Sequence, residues 1–211
     1  GVELERKLKE QVEGHGIRLV GPNCLGIINT HPDVNLNSSF TARMPRRGSI
    51  GFISQSGALC AAVLEYAHGR NIGFSKFISF GNKADVSEVD LLELLRDDPE
   101  TQVILMYLED ISDGPRFMQV CREITWSANK PILAVKSGRS AEGARAAASH
   151  TGSLAGSDLA YDAIFMQSGI MRVESINELF HYGIGFSRQP VPRGDRIAIV
   201  TRVVIIVTFN P

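Results

Sequence analysis

From residue 49 onward, short apolar runs alternate with stretches of helical spacing. SIGFIS (49–54) predicts a short buried strand, and GALCAAVLEYAHGR (57–70) carries helical spacing through Leu59, Val63, Leu64 and Tyr66. FSKFISF (74–80) predicts a second strand. SEVDLLELLRD (87–97) predicts a helix capped by Ser87, with Asp90 in its first turns. QVILMYLE (102–109) has the unbroken apolar character of a strand buried on both faces, and DGPRFMQVCREITWSA (113–128) reads as a helix with Pro115 near its start. KPILAVKSG (130–138) is another strand. SDLAYDAIFMQSG, IMRV and SINELFHYGIGF then give helix, short strand and helix. Strands separated by helices of this length predict an α/β fold, with a parallel sheet covered by helices on both faces.

The flanks and one internal stretch depart from this rhythm. VELERKLKEQVEGHG reads as a helix stopped by Gly14 and Gly16, followed by the apolar stretch IRLV and the turn GPN. A single helix–strand unit cannot bury its own apolar face, so residues 1–26 read as the tail end of a domain. Residues 27–45, with Thr30, Pro32, Asp33, Asn35 and Asn37, have linker chemistry. Residues 137–157 are built almost wholly of Ser, Gly, Ala, Arg and Thr. Loops of that length inside compact domains are uncommon and often functional. A proline-bearing linker covers 188–193. Residues 194–211 read as the opening of a further sheet, with no helix to cover it.

Composition narrows the class. The chain has 211 residues, of which 44% are hydrophobic and 21% charged, which is ordinary globular composition. A net charge of -1 argues against binding to nucleic acid through phosphate neutralisation. No apolar run approaches the roughly 20 residues of a membrane helix, and the charged N-terminus has no signal-peptide core. Three cysteines without a CxxC pair argue against a disulfide framework and for a reducing cytoplasm. No histidine or cysteine spacing suggests a metal site.

Three places carry candidate chemistry. Ser54, Gln55, Ser56 and Gly57 lie between a buried strand and a helix start, where free N–H groups and partial positive charge suit a phosphate. The same residues also serve as a plain helix cap. His150 lies in a loop of small residues; it is either a surface histidine or a nucleophile toward a phosphoryl group, and the latter needs a carboxylate to orient its ring. Glu109 ends a buried strand and would point into the ligand crevice of such a fold, unless it is a solvated strand-end charge. Asn82-Lys83-Ala84-Asp85, after another strand, would touch phosphate or a partner subunit, or form a polar loop. His15, His31, His68 and His181 suggest no chemistry.

GPNCLGIIN (21–29), SIGFISQSGALC (49–60), SFGNKADVSEVDLLELL (79–95), YLED (107–110) and SHTGSLAGSD (149–158) together resemble the NDP-forming acyl-CoA synthetase family. These are the ADP-forming acetate–CoA ligases, relatives of the succinyl-CoA synthetase α subunit. The resemblance implies that residues 1–26 end a CoA-binding Rossmann domain, residues 46–187 form a flavodoxin-like ligase domain and residues 194–211 begin a second one. It implies coenzyme A or acyl-CoA and phosphate as ligands, a small carboxylic acid as substrate, and ADP or ATP with Mg²⁺ bound in an ATP-grasp domain or β subunit outside this chain. The full-length protein is expected to be an oligomer.

In that family a histidine carries phosphate between two sites. The resemblance assigns this role to His150, with Glu109 orienting it. It places Ser56, Gly57, Ala58, Thr151 and Gly152 at the phosphate, and Asn23, Cys24 and Asn82 toward coenzyme A. Cys24 is not implied as a nucleophile. After RIAIVT the chain reads TRVVIIVTFNP, without the Asn and Gly-rich turn usual in the family, so the second ligase domain's turn is not recognisable. Two other readings compete. One is an acyl-CoA-sensing regulatory domain of a protein lysine acetyltransferase, against which the retained His150 argues. The other is flavin binding, which no separate feature supports.

Overall fold

The computed structural model describes residues 2–138, 158–192 and 194. Helix α1 (Val2–Gly14) leads into strands β1 (Gly26–Asn29), β2 (Leu36–Ser39) and β3 (Arg46–Ser54). Then follow α2 (Gly57–Arg70), β4 (Gly73–Ser79), α3 (Glu88–Asp97), β5 (Val103–Leu108) and α4 (Gly114–Arg122). A π-helical turn (Glu123–Ser127) precedes β6 (Ile132–Lys136), and α5 (Asp158–Gln167), β7 (Met171–Arg172) and α6 (Ile176–Arg188) complete the described part.

The strands form a seven-stranded sheet in the order β2-β1-β4-β3-β5-β6-β7. Strands β3 to β7 pair in parallel, whereas β1 pairs antiparallel with both β2 and β4 at one edge. Taken alone, the parallel strands run second, first, third, fourth, fifth, which is the flavodoxin-like doubly wound order.

Period-two alternation along these strands divides the core into two layers. On β5, Val103 and Leu105 pack with Phe52, Phe74, Phe77 and Phe180 under α2 and α6. Ile104, Met106 and Leu108 pack with Leu92, Leu95, Phe117, Val120 and Phe165 under α3, α4 and α5. The Phe52 ring stacks on Phe77 at 4.9 Å between centroids and on Phe180 at 5.8 Å, which fixes α6 across the sheet. Helix starts follow local capping chemistry. Ser87 and Asp90 form a reciprocal capping box on α3, and Asp113 caps α4 with Pro115 in its first turn.

Three segments differ from the sequence reading. Residues 27–45, read as a linker, hold most of β1 and all of β2, so they extend the sheet instead of connecting two bodies. The apolar stretch 17–20 forms no strand. Leu19 is instead tied to the loop after β4, its carbonyl accepting from Val86 N–H at 3.0 Å and its N–H donating to Asp85 at 2.7 Å. The helix expected over 113–128 changes pitch at Glu123, where Ala128 N–H reaches back five residues to the Glu123 carbonyl. There the Thr125 hydroxyl is shared between Cys121 O at 3.0 Å and Ser168 O at 3.2 Å, which ties the turn to the end of α5.

Candidate functional site

The strand order reverses between β3 and β5, and in open α/β sheets that reversal leaves a crevice beyond the carboxyl ends of the two strands. Ser54 is in register with Tyr107, so Gln55–Gly57 and Glu109–Asp110 leave the sheet side by side.

Ser56 caps α2 with extended backbone, and its hydroxyl accepts from Leu59 N–H at 3.3 Å. Ser54 Oγ holds Ser56 from both sides, accepting from its N–H at 3.1 Å and donating to its carbonyl at 3.1 Å. The cap satisfies one first-turn donor. The N–H groups of Gly57 and Ala58 remain at the open end of the helix, where the dipole favours an anion. A Cβ on Gly57 would stand 3.2 Å from Leu25 N and 3.5 Å from Cys24 C, so glycine lets this helix end approach the backbone of residues 24–25.

Gln55 joins the two strand ends. It is 7% exposed. Its carboxamide oxygen accepts from the N–H groups of Glu109 and Asp110, the latter at 3.1 Å, and its amide nitrogen donates to Asp110 Oδ1 at 2.6 Å. Behind Asp110, Lys83 Nζ lies 2.6 Å from Asp110 Oδ1 and 3.2 Å from Glu88 Oε2. Glu88 is fully buried and accepts from Ser112 N–H at 2.6 Å. This charged cluster and the Gln55 amide fix the turn that carries Glu109.

The opposite wall comes from residues 21–25. Pro22 O accepts from Asn82 N–H at 3.0 Å and Gly21 O from Ala84 N–H at 2.9 Å. Asn23 Nδ2 donates to Asn82 Oδ1 at 3.2 Å, and Asn82 Nδ2 donates to Glu5 of α1 at 2.6 Å. Gly81 has a φ of +53°, and a Cβ there would lie 2.2 Å from Pro22 O, so only glycine lets the two backbones meet.

These parts enclose an open cleft of about 790 Å³. Asn23, Cys24, Ser56, Gly57, Ala58, Asn82 and Glu109, all singled out in the sequence, line it together. His150, Thr151 and Gly152 lie outside the described residues. Lys83 and Asp85, from the same tetrapeptide as Asn82, do structural work instead: Lys83 is buried with Glu88 and Asp110, and Asp85 binds Leu19 and Arg18. A smaller groove of about 370 Å³, between residues 41–46 and the far half of α2, holds none of the sequence candidates.

Sequence reasoning passed over two residues near the crevice, Phe40 and Lys136, and missed the role of a third, Gln55. Gln55 stood beside the cap, but its reach across to β5 is visible only in three dimensions. Phe40 sits in a polar stretch and lines the cleft. Lys136 ends β6, is 4% exposed and lies 4.4 Å from the Tyr161 ring centroid, with burial pushing its ammonium pKa down. Burial also lifts the Cys24 thiol above its ordinary range and the Cys60 thiol to about 11, so both stay protonated near neutral pH.

Residues 47–184 match the family described as succinyl-CoA ligase like flavodoxin domain. The chain is 48% identical over 201 residues to the ADP-forming 4-hydroxybutyrate–CoA ligase of Nitrosopumilus maritimus, covering 95% of this chain and 29% of that protein. It is 47% identical over 201 residues to the α subunit of ADP-forming acetate–CoA ligase II of Pyrococcus furiosus, covering 95% of this chain and 43% of that one. Among solved structures, it superposes on the dinucleotide forming acetyl-coenzyme A synthetase 1 of Ca. Korarchaeum cryptofilum, in complex with phosphate and ADP, with a TM-score of 0.85 and 42% identity. That match covers 91% of this chain and 41% of the other. The chain thus spans less than half the length of these relatives.

Proposed function

The chain belongs to the family of succinyl-CoA-ligase-like flavodoxin domains, and from that premise we propose that it is part of an ADP-forming acyl-CoA synthetase. The reaction is acyl-CoA plus phosphate plus ADP to carboxylic acid, CoA and ATP. The observation that carries this reading is the meeting of an anion-binding helix terminus and a strand-end carboxylate in one cleft, at the point where the strand order reverses.

In the first step a phosphate oxygen attacks the thioester carbonyl, the C–S bond breaks and CoA leaves. The product is an acyl phosphate, whose charge the Gly57 and Ala58 N–H groups and the α2 dipole stabilise. A ring nitrogen of His150 then attacks phosphorus. The bond to the acyl oxygen breaks, and the acid departs as carboxylate. Glu109 orients the imidazole and stabilises its cationic form, while Gln55 and the Lys83 cluster hold Glu109 in place. Thr151 and Gly152 follow the histidine at the phosphate, and Asn23, Cys24 and Asn82 border the CoA end of the cleft. Phosphohistidine finally transfers its phosphoryl group to ADP, which belongs with Mg²⁺ to an ATP-grasp module, fused or on a β subunit. In this reading residues 46–187 are the ligase domain.

Relatives named for acetate and for 4-hydroxybutyrate match this chain at nearly equal identity. The test is phosphate- and ADP-dependent CoA release from acetyl-CoA by the full-length enzyme. Glu109→Gln should lower kcat by about 10²-fold with the KM for acetyl-CoA little changed; an unchanged kcat would remove Glu109 from the mechanism.

A further inference from the structure

Phe40 is 90% exposed, whereas Phe52, Phe74, Phe77, Phe80, Phe117, Phe165 and Phe180 are all buried. A single exposed apolar residue needs no explanation; what distinguishes Phe40 is its position. It lines the cleft together with Leu25, Ala58 and Ala61 and with the polar Gln55, Ser56, Asn82 and Glu109. Its backbone is fixed relative to the α2 N-terminus. Phe40 N–H donates to Leu25 O at 3.0 Å, Leu25 N–H donates to Ser79 Oγ at 2.9 Å, and Leu25 N lies 3.2 Å from where a Gly57 Cβ would be. Phe40 is therefore about one strand spacing, ~4.8 Å, beyond a residue in contact with the phosphate-binding helix end.

Side-chain hydrogen bonds fix the backbone on either side of Phe40. Asn37 Nδ2 donates to Thr41 O at 3.1 Å, and the Ser39 hydroxyl meets Asn37 Oδ1 at 2.6 Å and Thr41 Oγ1 at 2.8 Å. Phe40 also lines a neighbouring cleft of about 470 Å³, together with Val20, Ile27, Asn37 and Ser39. Phe40 thus borders both clefts.

We propose that Phe40 determines acyl-group specificity, its exposed ring bordering the cleft where the acyl chain would lie beside the α2 N-terminus. The proposal rests on the synthetase reading above. Truncating the ring removes that border and admits longer chains; enlarging it excludes them. Pockets of this kind discriminate by about 10–200-fold per methylene.

The experiment compares kcat/KM for acetyl-CoA and butyryl-CoA in the full-length enzyme, its Phe40→Ala and its Phe40→Trp variants. Phosphorylation of His150 by ATP, which needs no acyl group, controls for folding. Phe40→Ala should raise the butyryl-to-acetyl ratio by about 10-fold or more, and Phe40→Trp should lower it. An unchanged ratio in both variants, with ATP-driven phosphorylation intact, overturns the assignment. So does a uniform rise in KM for both esters, which would place the ring against coenzyme A or another module. A wild-type enzyme that turns over neither ester overturns the synthetase reading, and this proposal with it.

Discussion

At Gln55 a single amide meets the Glu109 and Asp110 N–H groups and the Asp110 carboxylate. Gln55→Ala leaves two N–H donors without their acceptor in a buried turn. We expect a loss of about 1–3 kcal/mol in denaturant unfolding and a fall of about 10²-fold in His150 phosphorylation as Glu109 drifts. Lys83→Met tests the cluster behind it. Glu88 would be left buried and unpaired, so unfolding experiments should show a loss of about 3–5 kcal/mol; a variant of wild-type stability would mean the cluster is not held as described. Asp85 responds to pH. The Leu19 N–H and then Arg18 hold its carboxyl below the ordinary aspartate range. Because the folded value is depressed, its stabilisation is present above the unfolded aspartate range and is lost as pH falls through it toward the folded value. Thermal unfolding midpoints across that acidic range should decline more steeply in the wild type than in Asp85→Asn. At this scale the sequence shows chemistry better than partnership. Ser56 and Glu109 stand out by residue type and position, whereas Gln55 and Lys83 reach Asp110 across 55 and 27 residues, which no local spacing reveals.

Elements with an apolar period were legible nearly to the residue. Helix α2 spans the predicted 57–70, and α3 begins at the predicted Ser87 cap. The antiparallel pair of β1 and the edge strand β2 was not. LNSS presents one apolar side chain in four residues, because an edge hairpin is held by backbone pairing and has little side-chain burial to announce it. The contact between residues 21–25 and the loop after β4 is equally silent in the sequence, and Gly81 permits it. Gly81→Ala combines an unfavourable φ with a backbone clash, so it should cost about 1–3 kcal/mol and loosen the segment bearing Cys24. Alkylation with iodoacetamide reads this directly. In the native protein Cys24 should react first and slowly, since Cys60 and Cys121 are buried with raised pKa values; Gly81→Ala should accelerate Cys24 alone. Equal rates in the two proteins would show that the segment holds without the glycine contact.

For the whole molecule, the described residues supply a flavodoxin-like sheet and an open cleft at its switch point; the chain covers 29% to 43% of the relatives it matches. The fold was legible because strand and helix periods alternate regularly. At the site, the helix cap at Ser56 and the strand-end carboxylate of Glu109 were legible by residue type and position. Their convergence comes from sheet topology, which sequence spacing does not encode. The central claim is a phosphoryl relay through His150. The direct measurement is to incubate the full-length protein with acetyl phosphate, or with ATP and Mg²⁺, and map acid-labile phosphate by mass spectrometry. Phosphate on His150, absent in His150→Ala and diminished in Glu109→Gln, is the predicted result. No phosphate on His150 while CoA esters still bind would contradict the relay and favour an acyl-CoA-sensing domain built on the same fold.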